Sequence, residues 1–233
     1  MNSNRNICVI PARGGSKRLP GKNIKEFFGK PVVAYAIQCA QECQLFDQII
    51  VSTDSIEIAE IAKAYGADVP FFRSTEASDD QATTMEVLAE VVEMLDERGD
   101  DFQNLLCLYP VTPLVQSISL IQGFTLLQGR ADGVVFPVLE YKHPIWRALE
   151  IENGMGRHIW GEKVNDRTQD LGPTFHDAGQ WYWMRLSSIR RGLSFSALNL
   201  VPVPTSEALA QDVDTIEDWE ILEMKYQRLF NER

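Results

Sequence analysis

Short apolar runs alternate with longer segments of helical periodicity along most of the chain. Residues 7–10 and 105–108 are continuous apolar runs with the length of strands buried in a parallel sheet. Residues 83–97 place apolar side chains every three or four positions, the pattern of a helix with one buried face. This alternation predicts an α/β fold around a mostly parallel central sheet.

The same patterns predict the other elements. Lys30 and Pro31 are expected to open a helix that reaches Cys43, because proline suits the first helical position. The remaining predicted elements are strands at 47–54, 132–138 and 200–203, and helices at 56–65, 118–128 and 216–230. Periodicity is weak over 139–176, and a loop of that length is unusual inside a compact domain. We therefore expect a small β-ribbon inserted in a single domain of residues 1–233, with a mobile surface flap as the alternative.

Composition limits the class of protein. The 233 residues, 45% of them hydrophobic, suffice for one large domain with a sizeable core. A net charge of −11 disfavours nucleic acid and anionic membranes as main partners. No apolar run reaches the roughly 18 residues that span a bilayer, and the polar first residues do not resemble a secretory signal. We expect a cytoplasmic protein, free of zinc and disulfides, with buried reduced thiols at Cys8, Cys39, Cys43 and Cys107.

A basic, glycine-rich loop contrasts with this acidic background. Four cations and three glycines lie within residues 13–22, directly after the first predicted strand. Glycine permits turns that point backbone N–H groups at an anion, and arginine and lysine pair with phosphate oxygens. The loop therefore predicts a polyphosphate site, with a solvated basic loop as the alternative. Its spacing matches neither the Walker pattern nor the dinucleotide fingerprint Gly-x-Gly-x-x-Gly.

The run IPARGGSKRLPGKNI, residues 10–24, resembles the signature loop of the cytidylyltransferases that activate eight- and nine-carbon keto-acid sugars. The resemblance implies a three-layer, Rossmann-like nucleotidyltransferase fold and transfer of CMP from CTP to the anomeric 2-hydroxyl of the sugar, with release of pyrophosphate. It implies that Arg13, Lys17 and Lys22 are catalytic residues that contact the phosphates. The nucleotide-binding residues that it implies are Ala12, Gly14, Gly15, Ser16, Asn23, Asp54, Arg73 and Thr83.

Some of these nucleotide-binding residues also suit roles that need no ligand. Asp54 follows a strand, at the edge of the sheet where ligands bind, but Asp54 or Ser55 equally suits the cap of the next helix. Thr83 and Thr84 stand at the start of a helix, where N–H groups and hydroxyls favour an anion. Arg73 would alternatively pair with one of the nearby acids Glu76, Asp79 and Asp80.

Two aromatic stretches predict the sugar site. Residues 109–114 form a turn that two prolines make rigid; it resembles the L-L-Q-P-T-S-P-L-R turn of the family, with Tyr109 in place of the glutamine and Val115 in place of the arginine. Residues 177–183 resemble an aromatic strand of the pseudaminic-acid branch and suit the apolar face of a sugar, with an aromatic core strand as the alternative. The sugar-binding residues expected are Tyr109, Thr112, Asp177, Gln180 and Tyr182.

An acidic pair near the end of the chain predicts a magnesium site. Asp212 and Asp214 alternate on an extended segment, so their carboxylates point to one side. Two carboxylates can hold Mg²⁺ while waters and phosphates complete the octahedron. The resembled family uses an Asp-x-Asp pair before a helix in this way. The alternative is that both aspartates cap the last helix, although Thr215 and Asp218 also suit its N-terminus.

The resemblance also implies a homodimer in which the 139–176 segment closes over the active site of the partner. The turn at 109–114 and the strand at 177–183 favour pseudaminic acid as the sugar, with acylneuraminic and legionaminic acids as alternatives. A nucleotidyltransferase for hexose phosphates fits the basic loop but not the acidic pair, and a nucleotide-binding regulatory module is the non-enzyme alternative. The cytidylyltransferase hypothesis requires the basic loop and the acidic pair to meet in the folded chain.

Overall fold

The computed structural model describes residues 5–79 and 81–230 and contains a seven-stranded central sheet. The strands are β1 (Asn6–Pro11), β2 (Glu26–Phe27), β3 (Lys30–Pro31), β4 (Gln48–Ser52), β5 (Asn104–Leu108), β6 (Gly133–Glu140), β7 (Leu149–Glu152), β8 (Met155–His158), β9 (Phe175–Asp177), β10 (Trp181–Arg185) and β11 (Asn199–Pro204). The helices are α1 (Val33–Cys43), α2 (Ile56–Ala64), α3 (Thr84–Glu97), α4 (Ser117–Leu127), α5 (Leu186–Arg190) and α6 (Ile216–Phe230).

The central sheet has the order β11-β6-β10-β5-β1-β4, and β9 also pairs with β6. β1 pairs in parallel with both β4 and β5, and β11 pairs in parallel with β6. β10 and β9 run antiparallel to their neighbours. The prediction of a mostly parallel sheet is therefore confirmed, and the carboxyl ends of its parallel strands meet at one edge.

Side chains of β1 alternate between two hydrophobic cores. Cys8 and Ile10 face a core shared with α1, α2 and α4, while Ile7 and Val9 face a core shared with α3 and α5. All four residues are fully buried, which explains why the run is apolar throughout and does not alternate. Helices on both faces of the sheet make the three layers that the resemblance implied.

The cysteines and the helices bear on two expectations from composition. The four cysteines are buried and free, as predicted. Burial raises the pKa of the Cys107 thiol to about 12, so it is protonated at neutral pH. Among residues 5–79 and 81–230, no helix has both the length and the apolar character needed to cross a membrane.

A smaller third core joins the β2–β3 hairpin to α6. The β2–β3 hairpin supplies Phe27 and α6 supplies Trp219, and their rings meet edge to face with centroids 5.4 Å apart. Val213 is 2% exposed in the same core. Burial of this valine anchors the segment that carries Asp212 and Asp214 close to the basic loop.

The predicted start of the first helix is wrong. Lys30 and Pro31 form the short strand β3, paired with β2, and α1 begins at Val33. Phe28 and Gly29 both have positive φ angles, of 45° and 85°, which turn the chain back on itself before the helix. Propensity for a helix start was overridden by this turn and by the packing of the hairpin against α6.

The weakly periodic segment contains the predicted β-ribbon. β7 pairs antiparallel with β8, and every residue of both strands is exposed. At its base β6 pairs with β9, and the Tyr141 N–H donates to the Thr174 carbonyl at 2.9 Å. The ribbon therefore leaves and rejoins the sheet at one place. The last residues of the predicted 139–176 segment belong to β9 and hence to the central sheet.

Candidate active site

A cleft of about 410 Å³ opens at the carboxyl edge of the parallel strands. Six parts of the chain contribute to it: β1 and the loop after it, the segment between α2 and α3, the start of α3, the turn after β5, the turn between β9 and β10, and the segment before α6. Polar residues in its wall include Arg13, Arg18, Lys22, Asn23, Arg73, Thr84, Tyr109, Asp212 and Asp214. The fold thus gathers candidate residues from most of the sequence into one site.

The basic loop and the acidic pair meet in this cleft. Lys22 Nζ donates to the Val213 carbonyl at 2.5 Å and lies 3.5 Å from Asp214 Oδ1. Arg18 Nη2 lies 2.8 Å from the same carboxylate oxygen. These contacts confirm the predicted meeting of the two regions. The cleft therefore presents cations and carboxylates side by side, as an Mg²⁺–polyphosphate ligand requires.

A neighbouring pocket of about 310 Å³ is strongly cationic. Its described wall carries four cations, Arg13, Lys17, Arg18 and Lys22, together with one carboxylate. Asn23 Nδ2 donates to the Arg13 carbonyl at 2.9 Å and so fixes the loop from below. With several positive side chains converging on one cavity, the pocket is suited to the oxygens of a polyphosphate.

Three backbone amides at the start of the basic loop donate hydrogen bonds within the protein. The Gly14 N–H donates to Asp54 Oδ1 at 2.7 Å, and the Ser16 N–H donates to the Gly14 carbonyl at 3.1 Å. Ala12 is fully buried and its N–H donates to the Ser52 carbonyl at 2.9 Å. These three amides are satisfied within the protein. Side-chain cations, rather than these N–H groups, are left to meet an anion.

Asp54 is not among the described residues of the cleft wall, and it stabilises the basic loop through a hydrogen bond. Its carboxylate accepts the Gly14 N–H, while the adjacent Ser55 caps α2 by accepting from the Ile58 N–H. The capping alternative is therefore confirmed for Ser55 and not for Asp54, and the nucleotide contact of Asp54 stays a prediction. A Cβ at Gly14 would stand 3.1 Å from the Ser55 Cβ, so the loop passes close to the start of α2. Gly15 has open space where its side chain would be.

Arg73 is a buried cation in the wall of the cleft. Its guanidinium donates to the Ser52 carbonyl at 2.7 Å and to the Ser52 hydroxyl at 3.2 Å. Burial lowers its pKa, against the opposing effect of Asp54 and Glu90. The alternative pairing with Glu76 or Asp79 is not formed within the described residues, and Asp80 lies outside them.

The acidic pair is not the cap of α6. Asp218 Oδ2 accepts the N–H of Thr215 at 2.9 Å, and the Thr215 hydroxyl accepts the Asp218 N–H at 3.2 Å. This reciprocal cap confirms the prediction for Thr215 and Asp218. Asp212 and Asp214 consequently remain in the cleft wall. Burial and the nearby Asp214 raise the pKa of Asp212, the effect of two acids sharing one site.

The two carboxylates fit the expected Mg²⁺. Within the described part of the chain no group of three or more His, Cys, Asp or Glu residues could hold a metal ion. A pair of carboxylates beside a polyphosphate pocket is nevertheless a normal Mg²⁺ environment, because this ion keeps several waters and takes phosphate oxygens as further ligands.

A third pocket of about 230 Å³ adjoins the cleft through Thr84 and Tyr109, which line both. The Tyr182 hydroxyl donates to Asp177 Oδ2 at 2.8 Å, and the rings of Tyr109 and Tyr182 meet edge to face. Burial raises the pKa of both tyrosines, so each keeps its hydroxyl proton. The apolar part of the wall comes from Met85, Met184 and Phe195.

A protein-family model described as cytidylyltransferase matches residues 7–143, more than half of the chain. This chain belongs to the cytidylyltransferase family. Pseudaminic acid cytidylyltransferase of Campylobacter jejuni is 34% identical over 229 residues, which is 95% of this chain and 96% of that protein. CMP-N,N'-diacetyllegionaminic acid synthase of Legionella pneumophila is 28% identical, covering 94% of this chain and 95% of that protein.

Solved structures of cytidylyltransferases share the fold. A CMP:2-keto-3-deoxy-manno-octonic acid synthetase complexed with CTP superposes with a TM-score of 0.73 at 15% identity, covering 97% of this chain and 100% of the other. A 4-diphosphocytidyl-2C-methyl-D-erythritol synthase gives a TM-score of 0.66 at 15% identity, over 97% of this chain and 99% of the other. The Rossmann-like nucleotidyltransferase architecture is therefore confirmed.

In this cytidylyltransferase the two threonines at the start of α3 have different positions. The Thr83 hydroxyl caps the helix by accepting the Glu86 N–H, and Glu86 accepts the Thr83 N–H in return. The Thr84 hydroxyl lies 2.7 Å from the Tyr109 hydroxyl, in the wall of the cleft. Thr84 thus lines the cleft, whereas Thr83 caps the helix and lines the third pocket. The spacing Thr83-x-x-Glu86, a capping box, is the sequence signal for this assignment.

Two predicted sugar-binding residues use their polar groups within the fold. The Thr112 hydroxyl donates to the Tyr109 carbonyl at 2.7 Å, which closes the turn after β5. Gln180 Nε2 donates to the Leu209 carbonyl at 2.7 Å, which ties β10 to the segment before α6. Both side chains are buried and absent from the described cleft wall. Their hydrogen bonds stabilise two segments that form the cytidylyltransferase site, although neither side chain lines the cleft.

Proposed function

We propose that this protein is a pseudaminic acid cytidylyltransferase. It would transfer CMP from CTP to the anomeric 2-hydroxyl of a nine-carbon keto-acid sugar and release pyrophosphate. The observation that carries the proposal is the meeting of Arg18, Lys22 and Asp214 in one cleft, in a chain 34% identical over 95% of its length to a pseudaminic acid cytidylyltransferase. These ion pairs join charged side chains from distant segments at a cleft, so they form a binding site and are not part of a hydrophobic core.

The cationic pocket supplies the electrostatic part of the proposed mechanism. Arg13, Lys17 and Lys22 neutralise the triphosphate and stabilise the pyrophosphate that leaves when the bond between the α-phosphorus and its bridging oxygen breaks. The sugar hydroxyl attacks the α-phosphorus from the opposite side, and its proton passes to solvent. Such a transfer depends mainly on positioning and charge neutralisation, so the proposal assigns no side chain as a base.

Asp212 and Asp214 would hold the Mg²⁺ of the nucleotide. When bound, this ion supplies charge neutralisation at the phosphates and a template for their orientation. The protein's own contribution is to keep both carboxylates beside the cationic pocket, through burial of Val213 between them. Arg73, which lines the same cleft, would border the nucleotide.

The third pocket is the proposed sugar site. Tyr109, Tyr182 and Asp177 supply hydroxyl and carboxylate groups that match the polar face of a sugar, while the neighbouring apolar side chains match its apolar substituents. The pocket opens next to the nucleotide cleft through Thr84 and Tyr109. A sugar held there would lie beside the α-phosphate of CTP.

The sugar is tested by assaying pyrophosphate release from CTP with purified protein, Mg²⁺ and a panel of acids. The panel is pseudaminic, N,N'-diacetyllegionaminic and N-acetylneuraminic acid. We expect release that requires both sugar and Mg²⁺, with kcat/KM at least about tenfold higher for pseudaminic acid, a difference that a few well-placed contacts supply. Preference for another acid would replace the proposed sugar. Binding of CTP without release in any case would favour a regulatory module.

We also propose that the single domain dimerises through its inserted segment, residues 139–176. Ile151 and Met155 of the ribbon are 77% and 75% exposed, an unusual placement for two large apolar side chains. Replacing both with arginine is expected to convert a dimer into a monomer, measured by light scattering. Met224→Arg is the control, since Met224 is also exposed but lies on α6. A monomeric wild-type protein would contradict this proposal.

A further inference from the structure

One oxygen of Asp214 is contacted by two cations of the basic loop. Arg18 Nη2 lies 2.8 Å from Oδ1, and Lys22 Nζ lies 3.5 Å from the same atom. The proposed function gives Asp214 a different partner, a divalent cation. A carboxylate oxygen that faces a guanidinium at hydrogen-bond distance is poorly placed to bind a metal ion, because the two positive groups repel each other. The arginine and the metal ion therefore compete for Asp214.

The Lys22 and Arg18 side chains differ in how firmly the fold holds them beside Asp214. The Lys22 side chain is 23% exposed and is anchored on the Val213 carbonyl. The Arg18 side chain is 70% exposed, and it lines both the main cleft and the cationic pocket. Arginine pairs well with phosphate oxygens through its planar fork. Arg18 is thus the cation positioned to exchange Asp214 for a phosphate of a bound nucleotide.

Asp212 provides an internal comparison. It lies in the same cleft but, among the described residues, is not in the ion pairs that Arg18 and Lys22 form with Asp214. Competition by the loop cations therefore falls on Asp214. The asymmetry means that one carboxylate of the pair becomes available when Arg18 moves.

We propose, on the basis of the proposed function, that Arg18 is a positioning residue that couples the binding of nucleotide and divalent cation. Arg18 holds Asp214 until the phosphates of the nucleotide draw its guanidinium into the cationic pocket. Asp214 is then released to the metal ion. Because coupling between two ligands is reciprocal, the metal ion in turn favours the arrangement in which Arg18 binds phosphate. The sequence pattern includes Arg18 among the cations of the basic loop, but it does not indicate the contact with Asp214.

Direct metal binding without nucleotide tests this proposal. The affinity for Mn²⁺ is measured by electron paramagnetic resonance for the wild type, Arg18→Gln and Lys25→Gln. Lys25→Gln removes the same charge a few residues away, where Lys25 Nζ lies 5.0 Å from the Trp219 ring centroid. We expect Arg18→Gln to bind Mn²⁺ about three- to tenfold more tightly than both other proteins, as for removal of a competing, partly exposed ion pair.

Two further variants separate competition for Asp214 from a structural effect. Arg18→Lys restores the charge and is expected to return the Mn²⁺ affinity towards that of the wild type. Adding Asp214→Asn to Arg18→Gln is expected to abolish the gain. Equal Mn²⁺ affinities of Arg18→Gln and Lys25→Gln would overturn the proposal. The measurement needs neither sugar nor turnover, so its failure is distinguishable from an absence of pyrophosphate release, which would instead overturn the proposed function.

Discussion

A Lys17→Ala variant is expected to turn over CTP about 10²- to 10³-fold more slowly than the wild type, a barrier increase of about 3–4 kcal/mol. Lys17 stands in the wall of the cationic pocket with Arg13, Arg18 and Lys22. Charge grows on the leaving pyrophosphate in the transition state, so removal of one well-placed cation costs more there than in the substrate complex. The loss should therefore appear mainly in kcat, measured by pyrophosphate release at saturating CTP.

Stability measurements separate this catalytic effect from unfolding. Lys17 is exposed, so the melting temperature of Lys17→Ala should remain within a few degrees of the wild type. Lys25→Ala is the matched control, because it removes a lysine from the same region that lies over Trp219 instead of the pocket. Kinetics of Lys17→Ala that equal those of this control would discard the role of Lys17.

A Gly123→Ala variant is expected to unfold more easily, by about 1–3 kcal/mol, because it overpacks the core. Gly123 lies on α4, where a Cβ atom would stand 2.6 and 2.7 Å from ring atoms of Trp181 and 2.9 Å from Trp183. Both indoles are buried, and Trp183 Nε1 donates to the Leu120 carbonyl at 2.9 Å, so neither can easily move aside. The free-energy cost of this clash is expected to exceed the gain of about 1 kcal/mol that alanine brings through its higher helix propensity.

Denaturation with urea measures the change in the free energy of unfolding. Gly172→Ala is the control, since a Cβ at Gly172 meets nothing within 4 Å and should leave stability nearly unchanged. A midpoint for Gly123→Ala at or above that of the wild type would show that the tryptophans can repack. Because β10 carries Tyr182 on its opposite face, a shifted strand should also weaken binding of the sugar.

Local pattern was sufficient for most of the architecture. The apolar runs of β1 and β5 and the amphipathic face of α3 follow from periodicity over a few residues, and the ribbon follows from the length of the weakly periodic 139–176 segment; each is present in the structure. One exception is the start of α1, where residues with positive φ turn the chain into a hairpin. Sequence likewise identified the basic loop and the acidic pair, because residue types at close spacing reveal their chemistry.

Only the tertiary structure decided which polar groups face the cleft. Asp54, Thr112 and Gln180 each have the chemistry of a binding residue, but their hydrogen-bonding groups are engaged elsewhere in the fold. For Asp54 and Gln180 the partner is distant in sequence, at Gly14 and Leu209, so spacing along the chain carries no signal for it. A polar group buried by folding must find a partner, and which partner it finds depends on the elements that folding packs against it.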